Sequence, residues 1–231
     1  MNDTALGLGD EGTAPVSGMT ERFAALGVSD AIVRAVAALG FEEPTPIQQQ
    51  AVPAVLSGRD VIGQAQTGTG KTAAFGMPLV EMVNPADRNV QALIICPTRE
   101  LAVQVAEELF RLARYRRGLT VVPIYGGQPI ERQITALRKG AQMVIGTPGR
   151  VLDHIRRGTL SLGSVRFAVL DEADEMLDMG FRDDITEILD RTPATRQTLL
   201  FSATLSPEIR ELAQRYLRDP VEVRTVHREL T

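Results

Sequence analysis

From residue 60 onward, short and almost wholly apolar runs alternate with helical patterns along the chain. The runs are DVIGQ (60–64), ALIICP (92–97), TVVPIY (120–125), QMVIGT (142–147), FAVLDE (167–172) and TLLFSAT (198–204), with VEVRT (221–225) as a last candidate strand. Strands this apolar at successive positions are predicted to be buried on both faces, the mark of a mostly parallel sheet covered by helices. The helices announce themselves by their ends. Ser29 can cap a helix that stops at Gly40, Thr147-Pro148 opens one that runs to Gly158, and Ser206-Pro207 opens another reaching about Arg218. Right-handed crossovers bring the strand C-terminal ends to one rim, where the ligands of such sheets bind. Residues 1–18, MNDTALGLGDEGTAPVSG, are polar, glycine-rich and aperiodic, and are predicted to form a disordered leader.

Composition narrows this picture mainly by exclusion. A length of 231 residues suits one large α/β domain or two small ones, and 44% hydrophobic with 4% aromatic residues is ordinary for a soluble protein. The one cysteine, Cys96, sits inside ALIICP, so no disulfide can form within the chain, which fits a reducing compartment and makes the cytoplasm the expected location. No apolar run approaches the ~20 residues a membrane span needs, and no signal-peptide pattern is present. A net charge of -4 argues against a surface that traps polyanions everywhere, but leaves room for a local phosphate-binding groove.

The chemistry concentrates in GQAQTGTGKTAAFG, residues 63–76, directly after the first strand. A triphosphate needs backbone N–H groups converging on it, hence a tight turn with little side-chain bulk. Gly68 and Gly70 permit that turn, and the helix starting near Gly70 offers its positive end. Lys71 can reach the β- and γ-phosphates and the Thr72 hydroxyl can bind Mg²⁺. The usual pattern begins with glycine where this chain has Ala65, a small residue that the turn can tolerate. After FAVL, Asp171 ends a strand on the same rim and suits a Mg²⁺ shared with Thr72, while Glu172 is placed to orient and deprotonate a water. The competing reading of Asp171, Glu172 and Asp174 is an acidic helix N-terminus, which the helix dipole favours by itself.

Seven motifs in order, GFEEPTPIQ, AQTGTGKT, PTRELA, GG, TPGR, DEAD and SAT, make residues 20–220 resemble the first RecA-like domain of a bacterial DEAD-box RNA helicase. The resemblance implies an α/β, RecA-like phosphate-loop fold of about seven mostly parallel strands with helices on both faces. It implies ATP with Mg²⁺ as cofactors, with Lys71, Asp171 and Glu172 catalytic and Ala65, Gln66, Thr67, Gly68, Thr69, Gly70, Lys71 and Thr72 around the phosphates. It places Gln48 on adenine with Phe41 stacked on the base. An amide carries the donor and acceptor that adenine requires, yet Gln48 three places after Thr45 is equally a capping box with Pro46 at the first helical position. Phe23 resembles the upstream aromatic that supports the base pocket, or is a plain core residue.

The same resemblance gives Pro97, Thr98, Arg99, Gly126, Gly127, Thr147, Pro148, Gly149 and Arg150 to the sugar–phosphate backbone of RNA, single-stranded or duplex. Hydroxyls, arginines and glycine-exposed N–H groups at helix starts can bind phosphates without reading bases, although Thr98 and Thr147 are also plain helix caps and Gly127 a turn. Asp174, Ser202 and Thr204 would couple nucleotide state to RNA. Arg114-Tyr115-Arg116-Arg117 is a nucleic-acid patch or, more commonly, a solvated helix end.

Phosphoryl transfer of this kind needs an arginine against the γ-phosphate, which in the family comes from a second RecA-like domain. The expected division is therefore a leader at 1–18, the ATP-binding domain at 19–220, and at 221–231 the start of a linker to that partner domain. Two other classes compete: a self-sufficient phosphate-loop kinase or ATPase of a small substrate, and a non-catalytic RNA-binding module.

Overall fold

Apolar runs too short to be helices pair side by side into one seven-stranded sheet in the computed structural model, which describes residues 17–225. The strands are β1 (Val61–Gln64), β2 (Ala92–Ile95), β3 (Val121–Ile124), β4 (Met143–Gly146), β5 (Phe167–Leu170), β6 (Gln197–Ser202) and β7 (Val221–Arg224). Their order across the sheet is β3-β4-β2-β5-β6-β1-β7, and every neighbouring pair is parallel. The candidate strand at 221–225 is thus real. It pairs with β1 as the edge strand, so the sheet extends past 220, where the division by sequence ended the domain. The leader expected at 1–18 lies outside the described residues as far as residue 16, and the last residues of the chain, 226–231, lie outside them too.

The helices are α1 (Ser17–Ala24), α2 (Asp30–Ala38), α3 (Pro46–Leu56), α4 (Lys71–Met82), α5 (Arg99–Leu112), α6 (Ile130–Arg138), α7 (Pro148–Arg156), α8 (Ala173–Asp178), α9 (Arg182–Asp190) and α10 (Pro207–Tyr216). They form two layers. Residues of α2 to α5 join one buried apolar cluster, and residues of α7 to α10 join the other. The strand period of two divides each central strand between them. Ala92 and Ile94 of β2, and Phe167 and Val169 of β5, face the first cluster; Leu93, Ile95, Ala168 and Leu170 face the second.

Helix starts fall where the sequence placed them, but not every residue there caps through its side chain; Thr147 makes no such bond. Thr98 accepts from the Leu101 N–H at 3.2 Å and Ser206 from the Ile209 N–H at 3.3 Å. Ser29 precedes α2 but does not cap it, because its hydroxyl donates to Glu81 at 2.7 Å. The run at 114–117 proves largely structural: half-buried Arg116 donates to the Glu81 and Val83 carbonyls where α4 ends, and the Arg34 and Arg114 guanidiniums lie over Tyr115.

One buried carboxylate ties the β7 edge to the sheet. Asp60, 4% exposed, accepts from the Thr198 N–H at 2.9 Å and the Arg218 N–H at 2.7 Å. Beside it the β1–β6 contact leaves no room for a side chain at Gly63, since a Cβ there would collide with the Phe201 ring. Gly63→Ala is therefore expected to cost about 1–3 kcal/mol, the range for overpacking a core, read as a lower urea midpoint at unchanged slope.

Candidate functional site

Because all seven strands run the same way, their C-terminal ends share one rim. From the β3 edge inward, that rim carries Gly126-Gly127 after β3, Thr147 to Arg150 after β4, Pro97 to Arg99 after β2, and Asp171 to Asp174 after β5. Ser202 to Thr204 at β6 and the 65–72 loop after β1 complete it. Residues scattered from 65 to 204 in the sequence are thereby sorted into two halves, with the acidic turn between them.

The glycine-rich loop has the backbone its sequence requires. Gly68 and Gly70 sit at φ +81° and +83°, and α4 begins at Lys71 with its first N–H groups toward the loop. Ala65 is buried and its N–H donates to the Ser202 carbonyl at 3.0 Å, so the missing glycine costs the turn nothing. Thr69 closes the loop by donating to the Gln66 carbonyl at 2.8 Å. Thr67, Gly68, Gly70, Lys71 and Thr72 face a cleft of about 490 Å³, whose other walls include Phe41, Asp171 and Glu172. A cleft of about 530 Å³ opens between Gly58, Arg166, Thr195 and Arg218, away from the glycine loop and the acidic turn. Size does not choose between the two clefts; chemistry does.

At the floor of the first cleft Lys71, 5% exposed, meets both carboxylates. Its Nζ lies 2.9 Å from Asp171 Oδ1 and 3.2 Å from Glu172 Oε1. Burial alone would lower the lysine pKa, but the two carboxylates outweigh it and raise it, so the ammonium stays charged. Asp171 is fully buried and neither carboxylate oxygen has a hydrogen bond; the lysine contact is an ion pair by distance without hydrogen-bond alignment. Burial pushes the Asp171 carboxyl above its ordinary range, with Lys71 opposing. A fully buried carboxylate whose charged partner is Lys71, lining one cleft with a threonine at a helix start, is a donor set that fits a hard divalent cation. Glu172 sits at φ 53°, ψ 53°, a left-handed conformation that a non-glycine residue adopts only when its surroundings impose it. The acidic-turn residues do begin α8, yet a simple dipole cap would not need this burial or this backbone.

Gln48 is occupied on both sides. Its Oε1 accepts from the Thr45 N–H at 3.0 Å and its Nε2 donates to the Gly70 carbonyl at 3.1 Å. The capping-box arrangement is therefore present, with the Gln48 half well formed and the Thr45 hydroxyl lacking a partner. The same amide braces the phosphate loop, which the spacing did not foretell. Phe41 is half-buried on the cleft wall and packs against fully buried Phe23, with ring centroids 6.4 Å apart and planes inclined by 24°. Phe23 is a core residue and a support for Phe41 at once.

On the other half of the rim, Arg99 reaches over the Tyr125 ring at 5.1 Å and toward Gly127, where a Cβ would lie 3.3 Å from its Nη1. Arg150 donates to the Gln128 carbonyl at 3.2 Å and to Gln133 Oε1 at 3.1 Å. Gly126, Gly127 and Gly149 are exposed, whereas Pro97 and Pro148 are buried. Thr98 and Thr147 stand at the starts of α5 and α7, Thr98 spending its hydroxyl on the cap. In the acidic turn, Asp174 accepts from both the N–H and the hydroxyl of Thr204, at 3.0 and 3.1 Å. Ser202 does not share that role, because its buried hydroxyl has no hydrogen-bond partner. Sequence reading missed the α5 wall of the cleft, Leu101, Gln104, Glu107, Glu108 and Arg111. Its signal was only a polar stripe that any solvated helix shows.

A doubly covered parallel sheet with a glycine loop, lysine and strand-end carboxylates on its rim defines a phosphate-loop nucleotide-binding domain. The chain belongs to the DEAD/DEAH box helicase family, whose pattern matches residues 45–212. It is 56% identical over 209 residues to the DEAD-box ATP-dependent RNA helicase CshA of Geobacillus kaustophilus, a match spanning 90% of this chain and 44% of that protein. Against the CshA of Bacillus subtilis it is 54% identical over 213 residues, covering 92% of this chain and 43% of the other. The crystal structure of a DEAD box protein from the hyperthermophile Methanococcus jannaschii superposes with a TM-score of 0.85 at 47% identity, over 89% of this chain and 56% of that one. The fold is thus RecA-like, and the chain spans less than half the length of these curated relatives.

Cys96 reports on the floor of the cleft. It follows β2 and is fully buried, and burial, then the Asp171 charge, pushes its thiol well above the ordinary value. A raised pKa keeps the thiol protonated as pH climbs, so native protein at pH 8 is expected to resist Ellman's reagent and to release one equivalent of thiol only in guanidinium.

Proposed function

We propose that the chain is the N-terminal, ATP- and RNA-binding half of a DEAD-box helicase that couples ATP hydrolysis to local unwinding of RNA duplexes. The observation that carries this reading is the Lys71 ammonium held between Asp171 and Glu172 beneath a glycine loop. The lysine gives the two carboxylates a positive partner, the sign of charge that Mg²⁺ would also bring. Lys71 would meet the β- and γ-phosphates of a bound nucleotide, the N–H groups of the 65–72 loop would hold the phosphate oxygens, and Phe41 would stack on the base. Gln48, 2% exposed and bonded to Thr45 and Gly70, would offer adenine its remaining N–H and lone pair. Thr72 and Asp171 would hold Mg²⁺, which supplies charge neutralisation at the phosphates. Glu172, fixed by its left-handed backbone, accepts the proton of the attacking water.

The other half of the rim supports the RNA role. Arg99 and Arg150, with the exposed N–H groups of Gly126, Gly127 and Gly149 and the hydroxyls of Thr98 and Thr147, suit phosphates and 2′-hydroxyls rather than bases. Thr204 bound to Asp174 links this reading to the nucleotide side, since the turn that holds Asp171 also holds Asp174. Among the described residues, the arginine lining the nucleotide cleft is Arg111, exposed and 4.0 Å from Glu107. The finger arginine is therefore assigned to a second RecA-like domain, in keeping with the greater length of the relatives. No described helix is long and apolar enough to cross a membrane; the cytoplasm, where a lone buried thiol stays reduced, is the proposed setting.

In a longer protein carrying both domains, Glu172→Gln is expected to keep nucleotide and RNA affinity while lowering single-turnover hydrolysis ~10²–10⁴-fold, the usual contribution of a general base. Hydrolysis at the native rate would remove Glu172 from that role. The 231-residue chain alone is expected to bind ATP but turn it over at ~10⁻³ to 10⁻⁵ of the longer protein's RNA-stimulated rate, the worth of an arginine finger. RNA-stimulated turnover by the chain alone, at a rate near that of the longer protein, would place the finger within these residues and overturn the half-domain reading.

A further inference from the structure

The RNA-side rim is underlaid by a buried polar chain that none of the motifs contains. Gln133 on α6 is 3% exposed and His154 on α7 is fully buried. Gln133 Nε2 donates to the Tyr125 carbonyl at 2.9 Å, directly before the Gly126-Gly127 turn. Its Oε1 accepts from Arg150 Nη1 at 3.1 Å and lies 3.0 Å from His154 Nε2. His154 Nδ1 in turn is 2.8 Å from the Thr159 hydroxyl. Two more bonds close the ring around Arg150: its Nη1 also donates to the Gln128 carbonyl at 3.2 Å, and Gln128 Nε2 donates to the Tyr125 hydroxyl at 2.7 Å.

Proton counting fixes this chain in one orientation. An amide oxygen only accepts, so the imidazole must carry hydrogen on Nε2 to meet it. Burial, and next the Arg150 guanidinium, hold His154 below its ordinary pKa; the ring is neutral and Nδ1 is left as an acceptor for the Thr159 hydroxyl, which also lies 3.1 Å from the His154 carbonyl. Turning the Gln133 amide over would set its NH₂ against the Arg150 guanidinium and its oxygen against the Tyr125 carbonyl. Those two partners fix the amide, and the His154 tautomer follows from it. Both Arg150 bonds within the protein use Nη1, which leaves the Nη2 and Nε hydrogens for a phosphate.

We propose that Gln133 is a positioning residue of the RNA groove, holding Arg150 and the Gly126-Gly127 turn in binding geometry before RNA arrives, with His154 and Thr159 backing its amide. The proposal rests on the RNA reading given above. Its physical content is preorganisation: a guanidinium already held needs less ordering when a phosphate binds. None of Gln133, His154 and Thr159 lines the nucleotide cleft, so nucleotide affinity should ignore them.

The test is a double-mutant cycle read by the anisotropy of a fluorescein-labelled single-stranded oligouridylate, with ADP calorimetry as the control for folding. Arg150→Ala is expected to weaken RNA binding about 10-fold or more, the scale of one lost charge-assisted hydrogen bond. In a Gln133→Met background, where the guanidinium is no longer held, the same substitution should cost under about 3-fold, because interacting sites are not additive. ADP affinity should stay native throughout. An undiminished Arg150 effect in the Gln133→Met background overturns the positioning role and leaves the RNA groove intact. No Arg150 effect in the native background overturns the RNA reading itself, and the positioning role with it. If Gln133→Met misfolds and loses ADP, Thr159→Val decides instead, since it removes only the hydroxyl behind His154. It should weaken RNA binding about 2–3-fold at native ADP affinity, and an unchanged RNA affinity overturns the proposal.

Discussion

One ion pair spans the sheet, and the site is arranged around it. Lys71 follows β1 and Asp171 ends β5, yet these strands are not neighbours: β6 lies between them, and the lysine crosses its end to come within 2.9 Å of the carboxylate. Removing an isolated charge from water this completely costs several kcal/mol. One ammonium shared by two carboxylates offsets that cost, with the Asp171 oxygens otherwise without hydrogen bonds. Such a floor is stable enough to exist and unsatisfied enough to bind. It also registers the glycine loop against the acidic turn.

The rim extends that logic. The acidic turn sits between the nucleotide-side loops and the strand ends that carry Arg99, Gly127 and Arg150. It contacts that nucleotide side at both ends, Asp171 at the lysine and Asp174 at Thr204 beyond β6. Whatever moves Asp171 must act through a short stretch whose backbone is already strained at Glu172. On the far side a buried amide network bonds Arg150 to Gln133 and to the Gln128 carbonyl. The acidic turn lies between the two halves.

Several rim residues make contacts that sequence spacing did not foretell. Gln48 is the clearest: its distance from Thr45 predicted a capping box, the family resemblance an adenine contact, and the structure shows the amide bonded to the Thr45 N–H and bracing the Gly70 carbonyl. Thr98 is similar, a helix cap whose place on the rim comes only from the strand order. Ser202 and Thr204 went the other way. Two hydroxyls so close in sequence looked equivalent, but Ser202 is buried at the end of β6 while Thr204 is exposed beyond it, and only Thr204 meets Asp174.

The amino-acid sequence determined what is local. Strand positions follow from apolar runs, helix starts from Thr98, Pro148 and Ser206-Pro207, and the loop backbone from glycines at 68 and 70, because each depends on a few neighbouring residues. The order of the motifs also carried the family resemblance, and with it the nucleotide half of the site. The tertiary structure decided what depends on contacts far apart in the chain. It set the strand order that sorts the motifs along the rim, the pairing of 221–224 with β1, and the meeting of Lys71 with a carboxylate distant in sequence. It also joined Gln133, Arg150 and His154 under the rim. Those choices rest on burial and charge matching across the whole sheet, where the energy of each contact is set by partners that no short window of sequence contains.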